Sequence, residues 1–257
     1  MEISRNTWNR YIKLLRSIND TAAQDLERWA FDVFGNGLID VNTRDADGNN
    51  IIDYAYLVTS KYGNASAAVS AEMVEAMAEL AGIAIPPAEL APNPTYNDVA
   101  KTIQGVLKTS QNREEITSAV GRLVKQTGAR TTRRNAQRDG AQYAWIPSGD
   151  TCAWCIMLAG KGWQYARTAS YKDHIHSNCD CAYAIRYNSR MSVEGYDPEA
   201  YANQYRDAEG DTRDEKLNSM RRKYYDQHSE EIRAQQASAE EKREELNSSQ
   251  AEETNVN

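Results

Sequence analysis

Long apolar runs are missing from this 257-residue sequence. No stretch approaches the roughly 20 apolar residues a bilayer-crossing helix needs, and the opening Met-Glu-Ile-Ser-Arg-Asn lacks the apolar core of a secretion signal. A cytoplasmic protein without a membrane partner is therefore expected. Motifs of nucleotide and hydrolytic chemistry are missing as well: there is no GxxxxGK[ST] phosphate loop, no HExxH and no GxSxG. Cysteine is scarce, and all four residues lie between Cys152 and Cys181, which excludes a disulfide framework for the whole chain and points to a local site. No internal repeat is present.

What is there is a polar, helix-rich composition. At 40% hydrophobic and 26% charged residues, the chain is too apolar for wholesale disorder and too polar for a membrane protein. Its net charge of −7 is concentrated at the end, where residues 207–257 carry 14 acidic and 8 basic side chains. The remainder is nearly neutral, so general affinity for nucleic acid is not expected of the molecule as a whole.

Along residues 1–84 apolar side chains recur at helical spacing. Trp8, Tyr11, Ile12, Leu15, Ile18, Ala22, Leu26 and Trp29 form one stripe that Gly35 and Gly37 should end. Asp45-Ala-Asp-Gly-Asn reads as a turn before a helix over 51–61, with a third, alanine-rich helix over 65–81. Four of the six prolines fall within residues 85–96, which is read as a linker. Helical spacing resumes over 97–107 and 114–137, in a segment bounded at 97–140. Residues 141–190 then change character: a strand from Tyr143, a short helix near Cys152 capped by Asp150-Thr151, and a second strand from Cys181. The five tryptophans are read as core or interface anchors. Residues 191–257 read as a polar helical tail, frayed after about Ser238. The expected fold is thus α+β and predominantly helical: N-terminal amphipathic helices, a small Cys/His module and an acidic helical tail.

The module carries the informative residues. On the first turn of a helix, Cys152 and Cys155 present both sulfurs to one side; on a strand, Cys179 and Cys181 do the same. Two such pairs suit a tetrahedral thiolate site for structural zinc, which would also crosslink a module with little core of its own. Cys152, Cys155, His176, Cys179 and Cys181 are five candidates for four places, with His174 a weaker sixth. Reduced thiols packed as small apolar groups, or a disulfide, are the alternatives. A catalytic cysteine finds little support, because no histidine precedes Cys152 and His228 lies in the polar tail. A zinc deaminase is excluded by the absence of His-x-Glu before the Cys-x-x-Cys pair. Arg122, Lys125, Arg130, Arg133, Arg134 and Arg138 form a basic run that could meet genome phosphates, chiefly through Arg130, Arg133, Arg134 and Arg138, although no aromatic residues interleave it to stack bases.

Thr151-Cys-x-x-Cys-x-x-Leu-x-Gly160, followed by His176-x-Asn-Cys179-x-Cys181 and a strand, resembles the C-terminal signature of MuF-like minor head proteins of tailed bacteriophages. The segment from Asn135-Ala-Gln-Arg-Asp to Trp145-Ile-Pro-Ser-Gly-Asp150 is similar to versions in phages of Gram-positive hosts. Specific similarity covers residues 130–187. The resemblance implies a minor capsid protein of head morphogenesis, made in the host cytoplasm and located in the virion head. Its partners would be the portal protein and procapsid or scaffold components. No catalytic residues carry over, and a non-enzymatic assembly factor is expected. The alternatives from other classes are a zinc-stabilised nucleic-acid-binding module and a protease or nucleotide-modifying toxin.

Overall fold

The computed structural model describes residues 1–148, 151–165 and 179–254. Residues Met1–Ala202 form one compact unit and Asn203–Asn257 a second, so the divisions expected at 84, 96, 140 and 190 all fall inside the first.

Helix α1 (Arg5–Phe34) begins where the Ser4 hydroxyl accepts from the Thr7 N–H at 3.2 Å, and it ends at Gly35, whose φ of 57° an L side chain rarely adopts. Its inward stripe, Trp8 to Ala30, is the one read from the sequence. The loop that follows is organised by Asp45. Its carboxylate accepts from Trp29 Nε1 at 2.7 Å and from the backbone N–H groups of Asp47 and Asn49.

Helix α2 (Ile51–Ala81) corrects the expectation of two helices over 51–61 and 65–81: it is continuous through Gly63. That glycine is a site of close approach. A Cβ there would sit 2.1 Å from Asn93 Oδ1 and 3.3 Å from Thr127 Oγ1. Capping boxes start α2 at Asn50 and helix α3 (Tyr96–Leu107) at Thr95. Helix α4 (Arg113–Arg138) packs along α2 through small residues, and a Cβ on Gly128 would meet Ser66 Oγ at 2.5 Å.

The proline-rich stretch contains neither helix nor strand, as its composition requires, yet it is tied down as a strap on α2 and α4. Asn135 exchanges hydrogen bonds with the Glu89 backbone at 2.8 and 2.9 Å, and the Ala91 N–H donates to Thr131 Oγ1. Ala88 reaches Glu75 on α2 through its N–H.

The sheet is small. Strand β2 (Gln142–Ile146) pairs antiparallel with strand β4 (Ala182–Arg186), Tyr143 opposite Ile185 and Trp145 opposite Tyr183, and with strand β3 (Gln164–Tyr165) on its other edge. Residues 143–146 and 182–185 are all buried, so both faces are covered. Helices α2 and α4 contact β4, and helix α5 (Ala153–Ala159) contacts β2. Strand β1 (Glu2–Ile3) pairs in parallel with strand β5 (Ser192–Val193), short elements without a clear sequence signal.

Helix α6 (Pro198–Arg206) has no buried residue. In the second unit, helix α7 (Arg213–Thr254) starts at a reciprocal Thr212–Glu215 cap and leaves helical geometry at His228. Its backbone is helical past Ser238, where fraying was expected; the Ala, Glu, Lys, Arg and Gln of that stretch are strong helix formers.

Candidate metal centre

The thiols come from the two ends of the sheet module. Cys152 is the N-cap residue of α5, with φ −65° and ψ 155°, and it caps no backbone N–H with its own side chain. This corrects the expected Asp150-Thr151 cap; Asp150 itself lies outside the described residues. Cys155 sits three positions on, in the first turn, and is buried. Cys179 and Cys181, both buried, lie directly before β4. Pairing of β2 with β4 is what carries this second pair to the start of α5.

The Sγ atoms of Cys152, Cys155 and Cys179 lie within 4.8 Å of one another, and the Cys155–Cys179 separation is 3.1 Å. Cys181 is not one of these three mutually close sulfurs, but its buried thiol acts on those of Cys155 and Cys179. All four thiols are free. Zinc–thiolate bonds of about 2.3 Å in a tetrahedron place sulfurs about 3.8 Å apart, between the closest separation and the outer span seen here. A disulfide would need about 2.05 Å. Donor type, burial and spacing therefore fit a zinc ion.

The same crowding sets the acidities. Hydrogen bonds from Cys155 and Cys179 pull the Cys181 thiol down to about 5, against burial and with help from the Ser148 backbone N–H. Hydrogen bonds to Cys152, Cys179 and Cys181, together with burial, push the Cys155 thiol up. The downward shift at Cys181 favours its thiolate, the form in which sulfur ligates metal.

Two basic side chains flank the second pair: Lys125, a member of the basic run, and Arg16, which the sequence did not single out. Lys125, half-buried on α4, donates from Nζ to the Cys179 carbonyl at 2.8 Å. Burial lowers its pKa, opposed by the nearby charges of Cys179, Asp180, Asp20 and Cys181. Arg16 on α1 pairs with Asp180 at 2.7 Å. These residues and Trp145 line a cleft with about 430 Å³ of empty space, open solvent included. The sequence marks Lys125 only as part of the basic run and not as a neighbour of the thiols, because Cys179 is about fifty positions away.

His174 and His176 lie outside the described residues. Three arginines of the basic run are held within the fold. Arg133 lies 5.9 Å from the ring centroids of both Tyr143 and Tyr183. Arg134 pairs with Glu89 at 2.8 Å, and Arg138 bonds Asp139 and the carbonyls of Pro86 and Pro87. Arg130 is exposed. Trp8, Trp29 and Trp145 are buried core residues, as read from the sequence.

No helix among the described residues is long and apolar enough to cross a membrane. Neither a curated protein nor a solved structure matches the chain. A family model does match, over residues 2–208, which span the helical body, the sheet and all four thiols. The chain accordingly belongs to the VG15 protein family, a viral gene protein family.

Proposed function

We infer that this viral protein is a MuF-like minor capsid protein of a tailed phage, a non-enzymatic assembly factor at the portal or procapsid. The observation that carries the reading is the meeting of Cys-x-x-Cys and Cys-x-Cys in one buried thiol cluster within a helical body of a viral family. The residues of the cluster are those on which the resemblance to MuF-like proteins rests. Zinc held by Cys152, Cys155 and Cys179, with Cys181 completing the set, would be structural: it joins the start of α5 to the start of β4 and supplies no open position for substrate. The long helices and the strap provide the rigid body an assembly factor needs. Virion head location, and cytoplasmic residence during assembly, follow from the same reading.

Co-sedimentation with purified portal protein and with procapsids tests it. Saturable association with either, unaffected by 0.5 M salt, at which the Debye length falls to about 4 Å, is the expected outcome. Absence from both particles, combined with salt-sensitive DNA binding that weakens in an Arg130→Ala variant, would transfer the chain to the nucleic-acid-binding class.

A further inference from the structure

We propose that Lys125 is the built-in counter-charge of the thiolate centre and sets its affinity for zinc. The inference rests on the zinc reading above. A dication bound by three thiolates carries one net negative charge, and by four, two; such a centre is costly to bury without a compensating cation. Lys125 stands at the only one of the two pairs that is wholly buried. Its ammonium is 2.8 Å from the Cys179 carbonyl and lines the same cleft as Cys179 and Cys181. Among the described residues, Arg16 is the other basic side chain lining this cleft, and it is engaged with Asp180 at 2.7 Å, whereas Lys125 feels the charges of Cys179 and Cys181 as well as those of Asp180 and Asp20.

The side chain suits the task. An ammonium on a flexible stem acts as a point charge and needs no planar partner, and here the head sits at the Cys179 carbonyl, on the backbone of the second thiol pair. Through the Cys179 carbonyl it also fixes the backbone from which the Sγ projects, as outer-shell partners of metal sites do. Lys125 is thus a positioning and charge-balancing residue, not a ligand.

Zinc affinity, measured by competition with a chromophoric chelator at constant pH, tests this in the full chain and in K125M, K125Q and K125R. Loss of the charge should weaken binding about tenfold or more in K125M and K125Q, with K125R within about threefold of wild type. Cobalt at saturation should give the same thiolate charge-transfer band in all four, showing the ligands intact. Circular dichroism checks folding, and K125Q carries the test if K125M is misfolded. Wild type that binds zinc while K125M and K125Q bind equally well overturns this inference alone. So does K125Q at wild-type affinity beside a weakened K125M, since the hydrogen bond and not the charge would then matter. Wild type that binds no zinc overturns the metal reading beneath it.

Discussion

The helical half around Leu26, Ile51 and Ile116 and the half built on β2 and β4 reach burial by different means. In the first, α1 to α4 bring together aliphatic side chains, with Trp29 stacked on Tyr54 at 4.6 Å, and each helix starts at a side-chain cap. In the second, two five-residue strands support Tyr143, Trp145 and Tyr183, and three cysteines are themselves buried members of the core. Apolar contact is distributed over long elements in one case. In the other it is joined to a polar cluster whose cohesion depends on what the sulfurs bind. The lesson is that the zinc proposed for the thiols would matter to the sheet and not to the helical half.

The largest expected effect breaks the comparison outright. Cys155→Ser with Cys179→Ser should abolish zinc binding and destabilise the first unit by more than about 4 kcal/mol, in the range of lost metal sites. Hydrogen exchange should show amide protection falling in β2 and β4 well before α2 and α4. Equal loss across both halves would mean that they are not separable in this way. The reciprocal change, Leu26→Ala, removes a fully buried side chain from the helical core and should cost about 3 kcal/mol. Zinc content, read by atomic emission, should stay at the wild-type value.

The smallest effect sharpens the picture of the helical half. Asp45 is held below the usual carboxylate range, chiefly by the Trp29 indole N–H, with Asn49 and the Asp47 N–H adding to it. A depressed folded-state pKa contributes stability that is complete above the unfolded value near 3.9 and is lost as pH falls through the folded value. Thermal melts from pH 6 to pH 2 should therefore show a shallower acid decline for Asp45→Asn than for wild type. An unchanged slope would remove Asp45 from the groups that drive acid unfolding.

Much of this was legible in the sequence, for identifiable reasons. The α1 stripe is long enough for its period to be unambiguous, and its stop residue is a glycine. Helix α2 is continuous where the sequence suggests helices over 51–61 and 65–81, and Gly63 lies in the interval between them. The role of that glycine, admitting Asn93 and Thr127 at close range, depends on residues 30 and 64 positions away. The strap over residues 85–95 shows the same limit: proline forbids regular structure, but only Asn135 and Thr131 reveal that the segment is pinned. At the candidate centre the two cysteine pairs announced themselves through spacing, whereas Lys125, Arg16 and Asp180 are brought in by tertiary packing alone. Arg133, Arg134 and Arg138 illustrate the converse, a basic run in sequence whose members are engaged by rings, carboxylates and proline carbonyls within the fold.

Elemental analysis of the purified, reduced full chain, paired with X-ray absorption at the zinc edge, bears most directly on the thiol cluster as a structural metal centre. One zinc per chain, with a first shell dominated by sulfur at about 2.3 Å and a melting temperature that drops on chelation, is the expected result. Metal-free protein whose melting temperature ignores both chelator and added zinc contradicts it.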